Sequence, residues 1–168
     1  DLPYDTVHHQ CSAYDHSRAP WATLHEEAWI VVRDRDYCAG TFVWTGFDYI
    51  GEPTPYSWPS RSSYFGVVDL CGFPKDCYYM YRSEWTDEPT LHLFPHWNWE
   101  VGQKIDMWVY YNSADEVELL LNGRSLGKSQ KSGNTQTRRL KLNADGLNVK
   151  SLSKKYWNGT ILKRLYSI

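Results

Sequence analysis

The chain has 168 residues, 42% of them hydrophobic and 23% charged, with a formal net charge of −2 and a mean hydropathy of −0.61. This composition excludes a disordered tail, and no stretch approaches the roughly 18 consecutive apolar residues of a membrane-spanning helix. Residues 1–87 carry 6 Lys and Arg against 13 Asp and Glu, and residues 88–168 carry 12 against 7, so the chain reads as two units; with a pI near 6.3 and no nucleic-acid motif in the basic half, nucleic acid is not an expected partner.

The opening DLPYDTVHHQ lacks the layout of a signal peptide, and the start at Asp1 without methionine reads as a processed form or a piece of a longer protein. The first predicted element is a helix over 23–37. Thr23 with Glu26 makes a capping box, and Leu24, Ala28, Val31 and Val32 form one apolar stripe. After Gly40, the uncharged run Thr41–Thr45 has the composition of a strand buried on both faces, as in a parallel sheet. Residues 46–73, rich in Gly, Pro, Ser and Tyr, form a long loop leaving the C-terminal end of that strand, the place where α/β barrels put active sites. A second helix is expected from Pro74, with Tyr78, Tyr81 and Trp85 on one face.

Beyond residue 88 the apolar period changes to two. Strands are predicted over 90–94, 104–111 and 116–121, with Asn122-Gly123 as a type I′ turn into a strand over 124–128, and weaker strands near 137–142, 147–153 and 159–165. These make a small β-sandwich joined through a linker at 86–89.

Aromatic residues are 16% of the chain, and eight of nine Trp lie before residue 110. Such rings either fill cores or serve as platforms for sugars. Cys11, Cys38, Cys71 and Cys77 show no zinc spacing and read as buried thiols, with a Cys71–Cys77 bridge open in an oxidising compartment; the six His show no metal spacing. Asn158-Gly159-Thr160 fits a glycosylation acceptor.

Several stretches match a known pattern: FVWTGFDYIGEP at 42–53, WPSRSSYFGVVDL at 58–70, GFPKDCYYMYRSEW at 72–85, LHLFPHWNW at 91–99, DEVELLLNGRSLG at 115–127, and QCSAYD at 10–15. In these the chain resembles glycoside hydrolase family 2, specifically its bacterial β-galactosidase branch; the likeness fades from residue 128. The resemblance implies a mixed fold: residues 1–87 as the C-terminal remnant of a (β/α)8 catalytic barrel, with Phe42–Thr45 in its eighth strand, followed by an all-β immunoglobulin-like sandwich over 88–168. It further implies a parent enzyme that hydrolyses terminal β-galactosides with retention and without a redox or organic cofactor or a metal; its compartment stays open, with a periplasmic or secreted bacterial setting expected ahead of a cytoplasmic one. The acid/base and nucleophile glutamates lie upstream of QCSAYD in the family, so this chain is expected to hold no catalytic residue and to be inactive alone.

By the same resemblance, Trp44 forms part of the floor of the galactose subsite, against the plainer reading of a Trp filling the barrel interior. Asp48 either binds sugar hydroxyls or braces the loop. Glu52 and Tyr49 are further substrate-side candidates, and with Arg61 they also fit a role in holding the loop together. The expected partners are a β-galactoside and the remainder of the barrel, while Trp97 and Trp99 are expected to pack the sandwich against the barrel. Two other readings stay open: a stand-alone carbohydrate-binding or interaction module with aromatic platforms, and a family 2 enzyme for another sugar, β-glucuronidase or β-mannosidase.

Overall fold

The structure, a computed structural model, describes residues 5–9, 21–95, 106–121, 123–130, 139–142 and 161–166. It divides into two units, Asp1–Tyr81 and Arg82–Ile168.

In the first unit, helix α1 runs His25–Arg33, shorter than the predicted 23–37. The cap sits one residue later than expected. Leu24 takes the N-cap position, and the carboxylate of Glu27, rather than Glu26, accepts the Leu24 N–H at 3.2 Å and the Thr23 hydroxyl at 3.0 Å. The helix stops where the sequence becomes Asp34-Arg35-Asp36, with nothing apolar to bury. Arg35 N–H and Cys38 N–H turn back onto carbonyls three residues earlier, at 3.2 and 2.9 Å.

The predicted buried strand over Thr41–Thr45 is absent: this segment bends at Trp44 and belongs to no ladder, with Phe42 fully exposed and Trp44 72% exposed. Strand propensity needs a neighbouring strand to act on, and pairing begins only at the end of the run. Val67 N–H donates to Thr45 O at 2.9 Å, Val68 N–H to Gly46 O at 3.0 Å and Asp48 N–H to Val68 O at 2.8 Å, giving a single parallel bridge between Phe47 and Val68. Gly66 permits this close approach. A Cβ there would lie 2.2 Å from the Asp48 backbone nitrogen.

Helix α2 spans Asp76–Trp85, starting two residues after Pro74, because Pro74 is engaged in a bridge to Val68. Its buried side is Cys77, Met80 and Tyr81, whereas Tyr78 and Trp85 of the expected stripe are exposed. Of the three described cysteines, Cys77 is buried as expected, whereas Cys71 is exposed and Cys38 half-buried, and no disulfide joins Cys71 to Cys77. Cys11, the QCSAYD run, Trp97, Trp99 and the Asn158 acceptor lie outside the described residues.

The second unit is a β domain. Strands β1 (Leu91–Phe94), β2 (Met107–Tyr111) and β5 (Arg139–Leu142) form one antiparallel sheet in the order β1-β2-β5. Strands β3 (Glu116–Leu121), β4 (Arg124–Gln130) and β6 (Ile161–Tyr166) form a second in the order β4-β3-β6. The period-two pattern has its expected result. Met107, Val109 and Tyr111 of β2 meet Val117 and Leu119 of β3 in one buried cluster, flanked by Leu91, Leu93 and Leu126. The other face of β2 buries Tyr110, stacked on Phe94 with centroids 4.8 Å apart. Leu121 pairs with Arg124, leaving room for a two-residue turn, and Gly123 takes φ +79° as a type I′ turn requires. The expected strand near 147–153 and the start of the one at 104–111 fall outside the described residues.

Asn112 fastens the segment leading into β1. Its Oδ1 accepts Thr90 N–H at 2.7 Å, its Nδ2 donates to Thr86 O at 3.1 Å and Glu88 O at 3.0 Å, and its own N–H reaches Thr90 O at 3.2 Å. Asn112 is buried, so Asn112→Ala strands the buried Thr90 N–H and frees two part-buried carbonyls at once. The expected loss is about 1–3 kcal/mol of unfolding free energy, read as a lower urea midpoint at unchanged slope.

Candidate functional site

The loop from Gly46 to Phe73 holds Asp48, Tyr49, Glu52 and Arg61 of the sequence-derived candidates, and Trp44 stands just before it. Two networks organise it. The first is buried and centres on Asp48, whose side chain is 7% exposed. Its Oδ2 lies 2.6 Å from Nζ of Lys75, itself 15% exposed, and its Oδ1 accepts Gly66 N–H at 2.7 Å and the Ser63 hydroxyl at 3.4 Å. Lys75 also donates to Tyr64 O at 2.6 Å. Asp48 thus ties three stretches of chain together, and its carboxylate is taken up by protein groups.

The second network is exposed. Trp44 Nε1–H donates to the Tyr49 hydroxyl at 3.3 Å, and that hydroxyl donates to Glu52 Oε2. The Trp44 and Tyr49 rings meet edge to face, 6.4 Å apart at 88°. Tyr49 is anchored behind: its N–H reaches Ser63 Oγ at 3.0 Å, its carbonyl takes Ser63 N–H at 2.9 Å, and its ring meets Phe65. The hydrogen bond to Glu52 raises the Tyr49 pKa, because a phenolate there would face a carboxylate. Arg61 lies apart from both networks, its guanidinium 4.5 Å over the Trp58 ring.

Trp44 also lines a cleft of about 160 Å³ bordered by α1 and residues 41–44, in which His25 Nδ1 and the Tyr81 hydroxyl are 3.0 Å apart. The loop therefore presents an aromatic ring held at its nitrogen edge, next to a carboxylate already serving as an acceptor. Among the described residues no group of three or more His, Cys, Asp or Glu could hold a metal ion, and no helix is long and apolar enough to cross a membrane. Lys75 and Ser63 were not legible as site residues: their roles depend on contacts 27 and 15 residues away along the chain, and neither carries a local motif.

Comparison with known proteins adds three findings. Residues 102–150 match the model of a domain of unknown function, DUF4982. The chain is 66% identical over 121 residues to beta-galactosidase BoGH2A of Bacteroides ovatus, covering 72% of this chain and 14% of that protein, and 30% identical over 113 residues to a beta-glucuronidase of Bacteroides fragilis, covering 66% of this chain and 16% of that protein. A solved beta-glycosidase from Bacteroides vulgatus superposes with a TM-score of 0.66 at 30% identity, over 96% of this chain and 17% of that one. The chain thus spans less than a fifth of each of these proteins.

Proposed function

We propose, from the fragment-level match of this chain to members of glycoside hydrolase family 2, that it is a portion of a retaining β-galactosidase. In this reading residues 1–87 complete a (β/α)8 catalytic barrel and residues 88–168 are the immunoglobulin-like domain after it. The chain supplies part of the sugar pocket, and the two catalytic glutamates come from elsewhere in the parent protein. The observation that carries the pocket is Trp44, a large ring left 72% exposed yet tethered at its nitrogen edge. The negative face of such a ring attracts the polarised C–H groups of a pyranose. Galactose, with its axial 4-hydroxyl, offers one continuous C–H face for that contact. The chemistry itself needs an acid/base and a nucleophilic carboxylate about 5–5.5 Å apart, and the engaged Asp48 is unsuited to either role.

A second sugar is favoured by the similarity to several relatives named as beta-glucuronidases or putative beta-glucuronidases. One experiment separates the readings. The full-length protein, given aryl β-galactoside, β-glucuronide and β-mannoside side by side, should turn over the galactoside fastest and with retention at the anomeric carbon. Faster glucuronide or mannoside turnover would move the assignment to that sugar. Residues 1–168 alone should show no turnover above background, and turnover abolished there by Asp48→Asn would place catalysis on this loop.

A further inference from the structure

Glu52 stands in a backbone conformation that side-chain-bearing residues avoid, with φ +48°, directly after Gly51 at φ +106°. A left-handed residue of this kind costs roughly 1–2 kcal/mol and persists where the surroundings over-determine it. Here the turn is fixed on one side by Gly51 N–H on Arg61 O at 2.6 Å. On the other side the reversal of the chain brings the Glu52 carboxylate back onto the hydroxyl of Tyr49, three residues earlier.

That hydroxyl has one proton and two lone pairs. Its proton goes to Glu52, so a lone pair faces Trp44 Nε1–H, which has no other role than to donate. The order of the chain is therefore set at Glu52: indole to phenol to carboxylate. Tyr49 is anchored, since Ser63 holds its backbone at both N–H and carbonyl and Phe65 meets its ring at 5.8 Å. Trp44, by contrast, is mostly uncovered, and its nitrogen edge is held by this relay.

We infer that Glu52 is a positioning residue, which acts through Tyr49 to fix the ring plane of Trp44 and does so as a hydrogen-bond acceptor rather than through its charge. The sugar-facing consequence rests on the function proposed above; the relay does not. The raised Tyr49 pKa keeps the shared proton in place beyond the usual tyrosine range.

The test uses the full-length protein with 5-fluorotryptophan incorporated, the Trp44 resonance being assigned by its loss in Trp44→Phe. Tyr49→Phe and Glu52→Ala should each shift or broaden that resonance and lower kcat/KM on an aryl β-galactoside by about three- to tenfold, mainly through KM, the worth of one hydrogen bond. Glu52→Gln keeps an acceptor oxygen and should leave the resonance in place and kcat/KM within about twofold of wild type. Glu52→Gln as damaging as Glu52→Ala would overturn the inference in favour of a direct role for the charge, and so would an unmoved Trp44 resonance in Tyr49→Phe. A resonance that responds as expected while Trp44→Ala leaves kinetics unchanged upholds the relay and removes the sugar platform alone.

Discussion

Asp48→Ala should destabilise the first unit by about 3–5 kcal/mol, the range for removing one partner of a buried ion pair. Among the described residues, the substitution leaves the Lys75 ammonium, 15% exposed, with the Tyr64 carbonyl as its remaining partner, and it orphans Gly66 N–H. The backbone cannot close the gap cheaply, because the chain at Gly66 is already pressed against residues 47 and 48. Asp48→Asn should fall between the two, keeping an acceptor for Gly66 while losing the charge. Urea unfolding of the protein carrying each variant gives the magnitude, with hydrogen exchange at Gly66 as the local readout. A double-mutant cycle with Lys75→Met isolates the pair, and a loss under about 0.5 kcal/mol would mean that the pair is solvated and does not hold the loop.

The second large effect is catalytic. In the full-length protein Trp44→Ala should lower kcat/KM on an aryl β-galactoside by well over tenfold, more than roughly 1.4 kcal/mol in the barrier. The bond from Nε1–H to the Tyr49 hydroxyl fixes the face that this exposed ring would offer a sugar. Trp44→Phe, which keeps a face but loses Nε1–H, should be damaged less. Unchanged kinetics in a folded Trp44→Ala protein would assign the ring to packing against other parts of the parent chain.

What could be read from sequence follows from how local each signal is. The strands β1 to β4 were legible because Met107, Val109 and Tyr111, and Val117 and Leu119, alternate toward one shared core, and period two is visible without knowing any partner. The Gly123 turn was legible for the same reason, since its chemistry is contained in two residues. Thr41–Thr45 misled because β-branched and aromatic residues advertise a strand whether or not a neighbour exists, and here the first backbone partner arrives only at Thr45. The helix cap slipped by one because both Glu26 and Glu27 stand within reach of a first turn. Trp44, Asp48, Tyr49 and Glu52 stand out together in one short stretch of sequence, and the structure places them in two neighbouring networks of that stretch. The buried partner of Asp48 was not legible, because Lys75 meets it only after a loop whose course no periodicity describes.

Asn112 decides where this polypeptide can be divided. A seam drawn at Thr90, the edge of the β domain by strand pattern, would shear off the carbonyls of Thr86 and Glu88 that its amide group holds. A seam before Arg82 keeps those contacts, together with the Arg82–Glu88 ion pair at 2.9 Å and the Thr86 hydroxyl on Arg82 O. Chimeras that exchange the β domain between related enzymes should therefore carry the last turn of α2 along with it, so that the boundary for recombination lies inside a helix rather than in the linker after it.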